Sequence, residues 1–269
     1  MAEARGRVLI VAGSDSGGGA GIQADLKTVT ALGGFAMTAV TAVTVQNTLG
    51  VTGVHPIPLD IVRAQIDAVM DDLGADAWKT GMLGTIEAVE TVAAAIDAKA
   101  QGLPVVVDPV MVAKGGHPLL ESNAIAAVRA LMLPRAAVVT PNAPEAAALV
   151  GFPVEDSQSQ ERAGEALLRL GAKAALVKGG HLEGAMVRDL LATPDQMLWF
   201  ESPRQDTTST HGTGCTLASA VATGLAQGLD LPTAVDRARR YVAQAIRLAP
   251  GFGAGHGPLA HGWTAKPFA

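Results

Sequence analysis

With 269 residues, of which 49% are hydrophobic, the chain can bury a substantial core, and residues 1–269 are interpreted as one domain. An aromatic content of 3% and a formal net charge of -5 argue against a nucleic-acid partner, because base stacking uses aromatic rings and phosphate binding uses basic side chains. No apolar run is long enough for a membrane span or a signal sequence, which predicts a cytoplasmic protein with no membrane partner.

The first predicted elements are a strand over residues 7–12, a glycine-rich loop over residues 13–21 and a helix over residues 22–32. The loop lacks the spacing of a dinucleotide fingerprint, and no Gly-Lys pair exists to form a P-loop. Asp15 stands where a hydrolase elbow needs a nucleophilic serine. The familiar nucleotide and hydrolase motifs are therefore absent.

Two extended runs, residues 37–46 and 51–57, predict a hairpin around the polar turn at residues 47–50. Such a hairpin is a candidate lid over a site, or an extension of a sheet. Gln46 lies close to its turn and could face a ligand.

From Leu59 onward, amphipathic helices alternate with short apolar strands. One helical face carries Val62, Ile66, Val69 and Leu73, the next carries Ile86, Val89, Ala93 and Ile96, and the strands are predicted at residues 77–80, 104–108, 136–140 and 174–178. This alternation indicates a mainly parallel sheet with helices on both faces. Ligands of such sheets bind beyond the carboxyl ends of the strands.

The remaining segments are predicted as a β-ribbon at residues 186–192 and 197–201, helices at residues 215–227 and 232–248, and an irregular stretch at residues 251–257. Four histidines without ligand-like neighbours in sequence are predicted at the surface: His55, His117, His256 and His261.

Residues with site chemistry follow one predicted strand after another, so they are expected on one edge of the sheet. The turn over residues 209–216 precedes a helix, where unpaired N–H groups and the helix dipole favour an anion. Lys178 is suited to a nucleotide phosphate, and Asp108 and Glu145 to Mg²⁺. Cys215, the sole cysteine, is expected to have a depressed pKa at the helix N-terminus and to accept a proton from an attacking alcohol. This inventory indicates phosphoryl transfer.

Seven motifs occur in order: AGSDSGGGAGIQADLKT, AVTVQNTLGV, KTGMLG, VVVDPVMVAKGG, VTPNAPEA, VKGGHL and THGTGCTLASA. Through them the chain resembles the hydroxymethylpyrimidine/phosphomethylpyrimidine kinases of thiamine biosynthesis, within the ribokinase-like superfamily. The resemblance implies a ribokinase-like three-layer α/β/α fold with a small β-hairpin near the substrate pocket. It also implies a homodimer that uses ATP and Mg²⁺ to phosphorylate 4-amino-5-hydroxymethyl-2-methylpyrimidine to its monophosphate and then to the diphosphate.

The same resemblance implies roles for individual residues. The pyrimidine would be held by Asp25, Gln46 and Met82 and by the backbone near Gly13 and Val45. The nucleotide would be held by Asn142, Lys178, Thr210, Gly212 and Thr213, and the metal by Asp108 and Glu145. The implied anion hole runs over residues 212–215 and includes Gly214, and Cys215 stands where many ribokinase-like enzymes carry an aspartate base.

Three other functions remain open from the sequence. Pyridoxal kinase is the closest, because pyridoxal also presents a ring-borne hydroxymethyl group. A cysteine-dependent hydrolase is a second alternative, although His211 is the one histidine near Cys215 in sequence. The third is a nucleotide-binding regulator without catalysis, against which the intact Lys178 and Asp108 argue.

Overall fold

A nine-stranded sheet forms the centre of the computed structural model, which describes residues 6–113 and 115–265. Its strands are β1 Arg7–Asp15, β2 Phe35–Asn47, β3 Gly50–Pro56, β4 Ala77–Thr80, β5 Val105–Val107, β6 Val138–Val139, β7 Ala175–Val177, β8 Met186–Ala192 and β9 Met197–Pro203. Their order across the sheet is β3-β2-β1-β4-β5-β6-β7-β8-β9. From β2 to β7 all neighbours are parallel, and the pairs β2–β3, β7–β8 and β8–β9 are antiparallel.

Helices cover both faces of this sheet. They are α1 Gly21–Ala31, α2 Leu59–Asp72, α3 Ile86–Lys99, α4 Ala124–Ala127, α5 Ala143–Val150, α6 Ser157–Arg169, α7 Thr213–Ala226 and α8 Leu231–Arg247. A π-helical turn, Val128–Met132, and a 3-10 turn, Leu133–Arg135, continue α4, and a second 3-10 turn spans His261–Thr264. No helix in the described part of the chain is long and apolar enough to cross a membrane.

The alternation of side chains along β1 produces two hydrophobic cores. Val8 and Ile10 point into the core under α1, α7 and α8, whereas Leu9 and Val11 point into the core under α2, α3, α5 and α6. Successive strand residues face opposite sides of a sheet, and here both sides are covered by helices, so the strand is apolar throughout. The predicted three-layer α/β/α architecture is confirmed.

The hairpin and the β-ribbon are confirmed, while the end of β1 and several helical segments differ from the predictions. β1 continues past Ala12 to Asp15, because Ser14 and Asp15 still pair with β2 after a register shift. Helix α5 begins at Ala143, directly after its cap residue Asn142. Helices α5 and α6 and the helical segment from Ala124 to Arg135 were not singled out from the sequence.

Candidate functional site

A cavity of about 1030 Å³ opens at the edge of the sheet where the parallel strands end. Its wall includes most of the residues that the sequence placed at a site: Gly13, Gln46, Met82, Asp108, Asn142, Glu145, Lys178, Thr210, Gly212, Thr213, Gly214 and Cys215. Two predicted site residues, Asp25 and Val45, do not line it. The expected grouping of strand-end residues on one edge is therefore present.

The first turn of α7 forms one wall of the cavity. Gly212 caps the helix with a left-handed backbone at φ +82°, and its carbonyl accepts the backbone N–H of Thr216 at 2.9 Å. A Cβ at Gly212 would clash with the carbonyl oxygen of Gly19, so this position has no room for a side chain. The close approach of the two glycine segments leaves the N-terminal N–H groups of α7 directed at the cavity, where they suit an anion.

A lysine and two carboxylates lie opposite this turn. Lys178 Nζ is 3.3 Å from Asp108 Oδ1 and 4.0 Å from Glu145 Oε2. Gly214 leaves room for the lysine, since a Cβ there would lie 3.2 Å from Lys178 Nζ. Thr140 donates its hydroxyl to Asp108 Oδ1 at 3.1 Å. The cluster therefore combines one cationic side chain with two carboxylates.

Asp108 and Glu145 offer the hard oxygen donors that Mg²⁺ prefers, and two protein carboxylates are a usual number when phosphate oxygens and waters complete the shell. Across residues 6–113 and 115–265 no group of three or more His, Cys, Asp or Glu side chains could hold a metal ion alone. The donor set fits a metal bound together with a phosphate ligand rather than a resident structural ion.

Glu145 is held by a capping box at the start of α5. Its backbone N–H donates to Asn142 Oδ1 at 2.9 Å, and its Oε2 accepts the backbone N–H of Asn142 at 2.8 Å. Burial raises the pKa of Glu145 to about 7, although the nearby Lys178 ammonium opposes this shift. Asn142 thus has a structural task in positioning a carboxylate, in addition to its place on the cavity wall.

The opposite end of the cavity has a different lining. Gln46 Nε2 lies 3.3 Å from His211 Nε2, and that histidine nitrogen lies 2.9 Å from Asp15 Oδ2. Met82 sits beside Gly13, where a Cβ would come within 3.1 Å of its sulfur. This end combines amide polarity with apolar surface, as an aromatic heterocycle requires.

Two implied pyrimidine ligands are placed elsewhere. The side chain of Val45, next to Gln46 on β2, is 63% exposed and does not line the cavity. Asp25 is fully buried under the cavity, where both of its oxygens accept from Lys79 Nζ, at 2.8 and 3.0 Å, and Oδ1 accepts from Ser219 Oγ at 2.6 Å. With its oxygens so occupied, Asp25 has no surface with which to touch a ligand.

The expectation of a depressed thiol pKa is wrong. Burial raises the pKa of Cys215 to about 12, and the positive charge of Lys79 only partly offsets it. The carboxylates of Asp25 and Asp108 add to the rise. At this helix N-terminus, desolvation and nearby anions outweigh the helix dipole, so the thiol is protonated at neutral pH.

Three residues that line the cavity were missed as site members from the sequence: Asp15, Lys79 and His211. Asp15 accepts the backbone N–H groups of Gly17, Gly19 and Ala20 at 2.8, 3.0 and 2.7 Å, which fixes the first glycine loop against the cavity. Its position at the end of β1 was the available signal, and the predicted strand stopped three residues too early.

A segment far along the chain braces the site; we call residues 255–261 the closing segment. The backbone N–H of His256 donates to Thr48 O in the hairpin turn at 2.8 Å. The backbone N–H of His211 donates to Gly257 O at 3.1 Å. His261 Nε2 lies 2.9 Å from Thr216 Oγ1 on α7. The closing segment therefore joins the hairpin to the first turn of α7.

The prediction that His261 lies at the surface is wrong. Its side chain is buried between α7 and α8, and burial lowers its pKa to about 4. His55 is exposed as predicted, while His117 and His256 are half-buried.

The chain is similar to known kinases along nearly its whole length. The phosphomethylpyrimidine kinase family model matches residues 15–260. A hydroxymethylpyrimidine/phosphomethylpyrimidine kinase of Streptomyces coelicolor is 53% identical over 96% of this chain and 94% of that protein. The thiamine biosynthesis bifunctional protein ThiED of Geobacter sulfurreducens is 51% identical over 96% of this chain, which spans 52% of that longer protein.

Among solved structures, the pyridoxal kinase from Staphylococcus aureus in complex with AMP-PCP and pyridoxal has a TM-score of 0.89 at 33% identity. That match covers 97% of this chain and 95% of the other. The fold is therefore shared between the two kinds of vitamin kinase, while sequence identity is higher toward the pyrimidine kinases. The chain belongs to the phosphomethylpyrimidine kinase family and is a phosphotransferase.

Proposed function

We propose that the chain, acting as one kinase domain in the cytoplasm, transfers the terminal phosphoryl group of ATP to 4-amino-5-hydroxymethyl-2-methylpyrimidine and then to its monophosphate. One observation carries this proposal: a single cavity has an amide and thioether lining at one end and an anion cradle with a lysine and two carboxylates at the other. A ring-borne alcohol and a triphosphate chain can thus meet in one enclosed space.

Catalysis in this arrangement is mainly positioning and charge stabilisation. The N–H groups of residues 212–215 and the Lys178 ammonium would hold the transferring phosphoryl oxygens. Asp108 and Glu145 would hold Mg²⁺, which supplies positive charge to the phosphates when bound. Cys215 stands at the cradle as the proposed acceptor for the hydroxymethyl proton, a role that the thiolate form of its side chain would fill, because the protonated thiol has no site for a further proton.

Ring recognition would fall to Gln46, Met82 and the backbone at Gly13. The His211 imidazole lies between Asp15 and the Gln46 amide, so it restricts how that amide can turn. Because Asp25 and the side chain of Val45 are off the cavity wall, their proposed contributions are indirect: Asp25 through Lys79, and Val45 through its backbone in β2.

The hairpin supports the proposal of a homodimer. Residues 28–59 contain no Asp, Glu, Lys or Arg, although 17% of the chain is charged. Within the hairpin Val45 and Leu49 are 63% and 69% exposed. Exposure of this uncharged edge and its aliphatic side chains to water is unfavourable, and contact with the same edge of a second copy of the chain would bury them.

The experiment that tests the function is ATP consumption with Mg²⁺ and one of three additions: hydroxymethylpyrimidine, its monophosphate or pyridoxal. We expect turnover of both pyrimidines and little turnover of pyridoxal. Failure on the monophosphate would reduce the function to a single phosphorylation.

Pyridoxal kinase is the second candidate, and the structural match to the pyridoxal-bound Staphylococcus aureus enzyme favours it. Both substrates present a hydroxymethyl group on a six-membered heterocycle, so the same cavity suits either. A higher kcat/KM for pyridoxal than for hydroxymethylpyrimidine would assign the chain to this alternative.

A further inference from the structure

A charged network lies buried beneath the cradle. Lys79, on β4, and Asp25, on α1, are both fully buried and form an ion pair at 2.8 Å. A buried charge pair is costly to desolvate, and replacement by apolar residues is often neutral or stabilising. Two buried charges directly under a catalytic turn therefore suggest a functional task.

The network is connected to Cys215 through α7. Ser219 donates its hydroxyl to Asp25 Oδ1 at 2.6 Å, and Ser219 follows Cys215 by four residues on the same helix. Residues four apart lie on one face of a helix, so the thiol and the serine both face the ion pair. Lys79 reaches the cavity floor behind Gly81, where a Cβ would lie 3.0 Å from its Nζ.

The charged groups that act electrostatically on the thiol come from different elements: Asp25 from α1, Lys79 from β4, Asp108 after β5 and Lys178 after β7. Lys178 and Asp108 line the cavity and pair with each other, so a bound phosphate or metal could compete for either charge. Lys79 is 0% exposed although it borders the cavity floor, and it is paired with Asp25, which does not line the cavity. The fixed part of the electrostatic field at the sulfur is thus the buried pair.

We infer that Lys79, held by Asp25 and Ser219, is a positioning residue that supplies the fixed positive charge against which the Cys215 thiol ionises. This inference rests on the proposed role of Cys215 as proton acceptor. The Lys79 ammonium favours the Cys215 thiolate, and the negative charge of Asp25 partly opposes that effect. The hydrogen bond from Ser219 fixes the ion pair relative to α7, the helix that carries the thiol.

The test is the alkylation of Cys215 by iodoacetamide in the protein without nucleotide or substrate. Because Cys215 is the sole cysteine, one carboxamidomethyl adduct in the intact mass reports this site alone, and Cys215→Ser provides the blank. The rate is followed from about pH 7 to 10, below the thiol pKa, where it rises roughly tenfold per pH unit as the thiolate population grows.

The two partners of the ion pair are expected to shift this profile in opposite directions. Lys79→Met should slow alkylation about tenfold at each pH, which corresponds to a rise of about one unit in the thiol pKa. Asp25→Asn should accelerate it by a similar factor, since Asp108 still attracts the Lys79 ammonium. Loosened packing would expose the sulfur and accelerate alkylation in both variants, so a slower Lys79→Met cannot arise from structural damage.

Matched controls are the exposed Lys173→Met, before β7, and Asp195→Asn, in the turn between β8 and β9, which should leave the profile unchanged. Equal or faster alkylation of Lys79→Met, or slower alkylation of Asp25→Asn, overturns the inference. If Lys79→Met fails to fold, the nearly isosteric Asp25→Asn decides the inference, provided that its unfolding midpoint equals that of the parent, so that loosened packing is excluded as the cause of faster alkylation. Shifted alkylation with unchanged kcat in Lys79→Met would instead reject Cys215 as the proton acceptor and leave the electrostatic inference standing.

Discussion

At the scale of single residues, the phosphate end of the cavity holds the Glu145 carboxylate at a cost in stability. Glu145 is buried beside Asp108, and its pKa is raised from 4.5 to about 7. In the unfolded chain this carboxyl ionises near 4.5, so between about pH 4.5 and 7 the folded state keeps a proton that the unfolded state loses. Folding stability therefore falls as the pH rises through this window, by about 3 kcal/mol in total.

Glu145→Gln should remove this pH dependence, because glutamine is neutral and can still form the capping box with Asn142. In the absence of Mg²⁺ and nucleotide, we expect the variant to be more stable than the parent by about 1 to 3 kcal/mol at pH 8, and to show little difference at pH 4.5. Denaturant unfolding at the two pH values measures this. The assignment would be contradicted if the free energy of unfolding of the variant, measured relative to the parent, were lower at pH 8 than at pH 4.5.

Cys215→Ala should lower kcat by about 10² to 10⁴, since that is the usual contribution of a general base. Binding of ATP should persist with a similar Kd, because alanine preserves the backbone N–H groups of the cradle. Steady-state kinetics and calorimetric titration separate the two effects. An unchanged kcat would show that the proton leaves by another route, with the cradle alone responsible for the rate.

At the scale of elements, the start of α7 depends on two backbones in contact. Gly212 and Gly228 both have φ +82°, but a Cβ at Gly212 would meet the carbonyl of Gly19, whereas a Cβ at Gly228 would meet open space. Gly228→Ala is thus a matched control that carries only the cost of the backbone conformation, about 1 kcal/mol.

Gly212→Ala should destabilise the protein by about 1 to 3 kcal/mol more than Gly228→Ala, because the clash forces the first glycine loop away from α7. It should also lower kcat, since the cradle would move, while Gly228→Ala keeps full activity. Unfolding and turnover of the two variants provide the comparison. Equal behaviour of the pair would mean that the contact with Gly19 has no influence on the site.

Most helices and strands were predictable, because the residue patterns that specify them lie within short stretches of the sequence. Apolar runs such as residues 174–178 and the helical spacing of Val62 and Ile66 are visible in the sequence. The end of β1 was not, since Ser14 and Asp15 join the sheet only through long-range pairing with β2. The raised pKa of Cys215 was not predictable either, because burial is its main cause and the charges that modify it belong to Lys79, Asp25 and Asp108, which are distant in sequence.

At the scale of the whole molecule, β3 is the edge strand at one end of the sheet, and the surface of the hairpin there lacks charge. Val45→Glu should convert the proposed dimer to a monomer, because it buries a carboxylate in an apolar contact. Leu248→Glu, at an exposed aliphatic residue at the end of α8, is the matched control. Light scattering at several protein concentrations checks this, and a dimer that survives Val45→Glu would exclude this face as the interface.

The closing segment has a consequence for biosynthesis. It is translated after every strand of the sheet, yet it contacts the hairpin turn through Thr48 and the start of α7 through Thr216. A ribosome-bound chain that has completed its sheet therefore still lacks the brace that holds these two parts together. The cavity would therefore reach its final form only late in synthesis. A nascent chain that lacks the closing segment would not yet bind nucleotide.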